Sequence, residues 1–300
     1  MKKLLTLITV AAICGGSVPV FAKVALEVFH PFTLVMVRFF FASLVLIPFM
    51  VKANELSSKL FKRLFWVAVV GALNPIILFI ALPFTQASVS PLIYAAIPAM
   101  TAVYLAVFRK QKISLQQVWG IAVGFVGVAL IILLPVLHLY SSPQAFSGNL
   151  LIFLAVLAFF VYALLSKDIQ EKHQITPLSL TFYFSFITFL LAIPFSLYEF
   201  MHYGSVLPHL EVKHILSSIE IGVIGTSIFY ICYQQALKVG SEVGAALFTY
   251  LQPVATIGLA IVFLGEKLTW PFACGGILAV IGAQIASGKK ISLQSLFSSK

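Results

Sequence analysis

Two ionisable side chains fall well inside the long apolar stretches of this sequence, Arg38 and Glu220. A guanidinium or a carboxylate in hydrocarbon is costly, so each must pair, reach an interface or line a polar path. Both sit at a similar depth from the same surface. The pattern predicts that they approach each other in the outer half of the molecule and together gate or recognise a zwitterionic solute, with each charge offering the solute a partner. A purely structural ion pair, or snorkelling of each chain to the interface, is the competing reading.

Neutral polar groups extend the set. Asn74 precedes Pro75, and Ser17, Tyr162, Tyr230 and Gln234 also fall near the middle of apolar stretches. A buried amide needs partners, so Asn74 should face the interior. Proline removes the N–H that would bond the carbonyl four residues earlier. At helical spacing Tyr94, Pro98 and Thr101 form one face, and Thr249, Gln252, Pro253 and Thr256 form another. The two faces are expected to line a cavity, or else their hydroxyls re-satisfy the freed carbonyls and join helix to helix.

Other chemistries lack their residues. No nucleophile stands beside a base, and there is no Gly-x-Ser-x-Gly elbow, His-Glu-x-x-His pair or phosphate-binding glycine loop. His202, His209, Glu211 and His214 read as a solvated loop rather than a metal site, and Cys14, Cys232 and Cys274 all lie in apolar stretches. Neither an enzyme nor a bound metal or cofactor is expected.

These residues must be positioned by membrane-spanning helices. The 300 residues are 61% hydrophobic and 9% charged, against about 25% charged for a soluble domain. Windows of about 20 apolar residues give ten spans, near 4–26, 32–51, 61–83, 87–108, 115–137, 148–167, 177–198, 214–237, 242–264 and 270–288. The first imitates a secretory signal, but its apolar run continues past residue 22 and is read as a span. The formal charge of +10 is scattered through short loops, which argues against nucleic acid as a partner.

Residues 81–132 repeat as residues 236–287 at one constant spacing. Pro98 falls on Pro253, Thr101 on Thr256, Gly120 on Gly275 and Gly127 on Gly282. The earlier parts align as well, Pro31 with Pro177 and Pro48 with Pro194, and at these spacings Arg38 and Glu220 fall on Phe184 and Phe65. The chain therefore divides into a five-helix unit over residues 1–140 and a second over 141–300. Of the 19 Lys and Arg, fifteen fall on one side of a ten-span topology, Lys23, Lys213 and Lys267 on the other, and Arg38 within a span. Positive residues stay inside, so both termini should be cytoplasmic. Units with an odd number of spans must insert with opposite orientation, giving an all-α integral membrane protein of two inverted repeats. That build is recurrent in secondary transporters. Gly120, Gly124 and Gly127, with Gly275, Ala279 and Gly282, should pack helix on helix within the bundle or between two copies.

The pattern as a whole resembles the drug/metabolite transporter superfamily in its ten-helix form, built from two EamA-type modules. The resemblance rests on Gly15-Gly16-Ser17 leading to Lys23, Val37-Arg38-Phe39, Pro98, Gly225-Thr226, Leu251-Gln252-Pro253 and the turn Leu264-Gly265-Glu266-Lys267-Leu268. Two departures stand out: Cys14 lies near where the family often has tryptophan, and Gln111 replaces the acid that the second half keeps as Glu266. The resemblance implies a central cavity and movement of small metabolites, often efflux of amino acids or related polar solutes, from a bacterial inner membrane. The partners expected are a small solute and the bilayer, in a monomer or homodimer. The contrasting expectation is a membrane enzyme or interaction subunit that uses the same bundle as a scaffold.

Overall fold

The structure is a computed structural model that describes residues 2–110, 112, 114–133, 144–240, 245–267 and 270–286. The proposed boundary at 140/141 and the departure at Gln111 lie outside the described residues. Every regular element described is helical. The first half holds α1 (Lys2–Ala25), α2 (Pro31–Ala53), α3 (Ser58–Ala81), α4 (Val89–Tyr94), α5 (Ile97–Phe108) and α6 (Leu115–Leu133). The second holds α7 (Gln144–His173), α8 (Pro177–Tyr203), α9 (Val212–Gly222), α10 (Phe229–Val239), α11 (Phe248–Leu264) and α12 (Trp270–Ala286). A π-helical segment, Val223–Ile228, joins α9 to α10. Among the described residues eight stretches are long and apolar enough to cross a bilayer, and Phe248–Leu264 and Ala273–Gly282 are shorter apolar helices.

Two spans expected to be continuous are interrupted. The fourth breaks at Ala95 and Ala96, whose N–H groups turn back to the Pro91 and Ile93 carbonyls, so α5 begins anew one residue before Pro98. Proline is favoured in a first helical turn because its missing N–H is not needed there. Pro98 thus starts a helix instead of kinking one. Pro253, its counterpart, sits inside an unbroken α11.

The packing follows the repeat. α2 lies against its equivalent α8, α6 against its equivalent α12, and α1 against α11 much as α7 lies against α4 and α5. The α6–α12 contact is a meeting of small residues: a Cβ on Gly127 would stand 2.3 Å from the Ala279 nitrogen, and one on Gly282 would stand 2.1 Å from that of Gly124. The glycine stripes are used inside the bundle.

Carboxylates fasten three of these helices at their N-termini. Glu199, near the end of α8, accepts from the Phe32 and Thr33 N–H groups at 3.0 and 2.7 Å and from Thr33 Oγ1 at 2.7 Å. At the opposite end of the same helix pair, Glu55 accepts from Thr176 Oγ1 at 2.5 Å and Ser179 Oγ at 2.6 Å. Thr176 in turn accepts from the Ser179 N–H as the N-cap of α8. Glu266, after α11, accepts from the Ala87 and Ser88 N–H groups at 2.6 and 3.1 Å, just ahead of α4. Glu199 and Glu266 satisfy backbone donors that the helix cannot, and all three carboxylates put negative charge at the positive end of a helix dipole. Glu199→Ala strands two backbone N–H groups and should cost about 2–3 kcal/mol. Glu55→Ala frees only hydroxyls, which can turn to other acceptors, and should cost about 1 kcal/mol. Unfolding titrations in mixed micelles check the order, and equal losses would contradict the backbone-capping account.

Candidate functional site

A cavity of about 40 Å³ lies at the centre of the bundle, where seven spans meet. Its polar lining is Arg38 from α2, Asn74 from α3, Ser90 and Tyr94 from α4, and Gln252 from α11. Its aromatic lining is Phe159 from α7, Phe229 and Tyr230 from α10, and Phe248 from α11. Gly15, Val18 and Pro19 of α1, Leu78 of α3 and Gly225 of the π segment complete it. The volume suits a water or two and no metabolite, so this is a closed arrangement.

Breaks in regular helix create the polar lining. Pro19 has no N–H to offer the Gly15 carbonyl, and Gln252 Nε2 donates to that oxygen instead at 3.1 Å. Thr256 Oγ1 donates to the next carbonyl, Gly16, at 2.7 Å, which ties α1 to α11 by two adjacent bonds. Gln252 Oε1 is buried and makes no hydrogen bond. Asn74 Nδ2 donates to Tyr94 Oη and, at 2.8 Å, to the Ala155 carbonyl, so one amide joins α3, α4 and α7.

Arg38 is 4% exposed. Its Nε donates to Thr226 Oγ1 at 2.7 Å and its Nη2 to the Gly225 carbonyl at 3.1 Å. The guanidinium carbon stands 5.2 Å from the ring centres of both Phe39 and Phe79. The π segment offers this site because its widened turn is held by side chains: Thr226 Oγ1 donates to Ile221 O at 2.7 Å, and Ser227 Oγ to Ala42 O at 3.2 Å. Single π turns recur at functional sites. Glycine lets the helices meet, since a Cβ on Gly222 would lie 2.7 Å from the Arg38 carbonyl oxygen.

Arg38 and Glu220 do not form the expected ion pair. No nitrogen of Arg38 lies within 4.0 Å of a Glu220 oxygen. Glu220 instead meets Ser17, whose Oγ lies 2.5 Å from Oε1. Equal depth does not fix direction around the helix, and the two side chains leave their helices toward different neighbours.

Of the fourteen expected residues, Arg38, Asn74, Tyr94, Tyr230 and Gln252 line the cavity and nine do not. Thr101 and Thr249 donate to Ile97 and Ala246 of their own helical segments, and Pro98 is buried in the first turn of α5. Pro253 borders a separate apolar groove between α11 and α12. Tyr162 and Gln234 belong to a second polar cluster, in which Gln234 Nε2 donates to Tyr162 Oη at 2.9 Å and Gln170 Nε2 donates to Gln234 Oε1 at 2.9 Å. Ser17 and Thr256 stand behind the wall and hold α1. Phe159, Phe229 and Phe248, together with Ser90 and Pro19, were not anticipated. Pro19 carried the same mid-span signal as Pro253 and could have been found by it.

Residues 2–133 and again 146–288 match the EamA-like transporter family. The chain belongs to the EamA-like transporter family. It is therefore a multi-pass membrane protein of the drug/metabolite transporter superfamily. Similar curated proteins include the uncharacterized transporters YcxC and YetK of Bacillus subtilis. YcxC is 24% identical, over 91% of this chain and 88% of its own, and YetK is 26% identical, over 94% and 85%. A WAT1-related protein of Arabidopsis thaliana is 24% identical over 84% of this chain and 71% of its own. A solved crystal structure of a protein superposes with TM-score 0.67 at 18% identity, covering 94% of this chain and 96% of that one, which speaks to the fold alone.

Proposed function

We propose that this EamA-family chain is a secondary exporter of small metabolites, amino acids or related polar solutes first among them. Its two five-helix units, residues 1–140 and 141–300, rock against each other around the central cavity. The observation that carries this reading is a polar cavity built where spans from both halves are interrupted, at Ala95–Ala96 and at Val223–Ile228, the arrangement by which transporters place a solute near mid-membrane. Among the described residues Arg38 is the one charged side chain lining the cavity, whose lining also carries the rings of Phe159, Phe229, Tyr230 and Phe248. That combination favours a solute with a carboxylate and a flat apolar body. The positive-inside distribution supports cytoplasmic termini in a bacterial inner membrane.

Comparing metabolites released by expressing and non-expressing cells would nominate the solute, and flux of that solute into proteoliposomes tests the reading. Asn74→Leu removes the amide that joins three helices at the cavity and should lower flux about tenfold or more. Absence of any solute difference between the cells, together with no flux for an amino-acid mixture, would overturn it.

A further inference from the structure

Ser17 Oγ has two partners, Glu220 Oε1 at 2.5 Å and the Cys14 carbonyl at 2.8 Å, both of them acceptors in the ionised protein. A serine hydroxyl has one proton to give. With Glu220 ionised the two acceptors must share that one proton, whereas a protonated Glu220 can donate to Ser17 Oγ and leave the serine proton wholly to the Cys14 carbonyl. The second carboxyl oxygen, Oε2, is buried and has no hydrogen-bond partner. As half of an anion it would be stranded, whereas as the carbonyl oxygen of a neutral acid it loses far less. Among the described residues no cation forms an ion pair with Glu220, and two of the three Arg38 nitrogens are held by Thr226 and Gly225.

We propose that Glu220 is a proton-binding site whose loading is coupled to the opening of the central cavity. The coupling rests on the transport reading above. In the loaded state the Glu220 hydroxyl donates to Ser17 Oγ and Ser17 donates to Cys14 O. On unloading, the carboxyl O–H bond breaks, its electron pair stays on the carboxylate and the proton passes to water. Ser17 then swings its hydrogen from the Cys14 carbonyl to the anion. No oxidation or reduction is involved. The switched segment is the cavity wall itself: Gly15 lines the cavity, and Gly15 and Gly16 hold Gln252 and Thr256 of α11 through their carbonyls. Three residues of α1 thus connect the proton site to the α1–α11 contact.

Other ionisable groups face Glu220 from the elements packed on α9. They are Cys14 from α1 and Arg38 from α2, with Cys232 beyond Cys14 on α10. Farther out on the same side stand Lys213 and His214 of α9, which hold Glu27 of the α1–α2 turn at 2.8 and 3.4 Å. These contacts keep the exposed Glu27 carboxyl below the usual range, so it stays ionised where Glu220 is proposed to titrate.

Infrared difference spectra between about pH 5.5 and about pH 9 lie above the range in which exposed carboxyls titrate. The reconstituted full chain should show a carbonyl band of a protonated carboxylic acid that disappears in Glu220→Gln. In Ser17→Ala the band should remain but move to higher frequency, since its hydrogen bond is gone. Coupling is read by a single cysteine, Ser90→Cys, in a background lacking Cys14, Cys232 and Cys274. Its labelling by a small aqueous thiol reagent should change about threefold or more across that pH range, and the change should vanish with Glu220→Gln. No band, a band unaltered in Glu220→Gln, or one abolished by exchanging choline for sodium at fixed pH would overturn the proton site. A pH-dependent labelling rate that survives Glu220→Gln would overturn the coupling. The spectra need no solute, so an intact band with no metabolite flux would count against the transport reading and not the proton site.

Discussion

Gly282→Leu should abolish the accumulation of folded protein, and Gly282→Ala alone should destabilise it by about 3 kcal/mol, the upper end for an overpacked core. The modest size of the added methyl is misleading here, because what it meets is backbone. The new Cβ would lie 2.1 Å from the Gly124 nitrogen and 2.5 Å from its Cα, and neither can rotate away. The whole of α12 would have to withdraw from α6. With it would go the matching contact at Gly127, whose own Cβ position lies 2.3 Å from the Ala279 nitrogen. Without hydrophobic drive between helices in lipid, such close approach is a main source of cohesion. Gly258→Ala is the control: nothing stands within 4 Å of its Cβ position on exposed α11, so the substitution should raise stability by up to about 1 kcal/mol through helix propensity. Unfolding titrations of the two alanine variants in the same mixed micelle give the comparison. A loss at Gly258 as large as that at Gly282 would refute the close-packing account.

The glycine stripes and the ten spans were legible in the sequence because lipid imposes simple requirements, a sufficient apolar length and small residues where helices touch. What was not legible depends on direction and continuity. Pro98 reads equally as a kink or as the start of a helix, and only the turn at Ala95–Ala96 separates the two. Nothing in Val223–Ile228 marks a π turn, yet that turn supplies both groups that hold Arg38. Phe159, Phe229 and Phe248 face the cavity, but a phenylalanine in a span looks the same whether its neighbour is lipid or solute. Glu55 and Glu199 sit at span ends, where a carboxylate is expected to be solvated. Both instead cap the partner helix of the other repeat. Depth along a helix placed Arg38 and Glu220 level, while azimuth, which depth does not report, sent them to Thr226 and Ser17.

Arg38→Met should separate transport from folding: flux falls about 100-fold, equivalent to about 2.7 kcal/mol, while stability in micelles stays within about 1 kcal/mol of the parent. The expectation follows from what each contact leaves behind. Thr226 Oγ1 keeps its bond to Ile221 O when the guanidinium is gone, and methionine fills the space between Phe39 and Phe79 with a polarisable chain of similar length. Exchanging a buried charge for a well-packed apolar group is often neutral or stabilising, because its desolvation cost disappears too. The cavity, by contrast, loses its one charged wall group. Arg38 Nη1 makes no hydrogen bond, so the guanidinium has a donor left for a solute while Nε and Nη2 hold the π segment. Arg38→Lys keeps the charge, but one ammonium cannot bond Thr226, Gly225 and a carboxylate in the same fork, and flux should drop about tenfold. If Arg38→Met instead loses folded protein in proportion to flux, the side chain is a brace for the π segment. The solute carboxylate must then be bound elsewhere on the cavity wall, with the second Gln252 N–H and the Tyr94 and Tyr230 hydroxyls as the remaining donors.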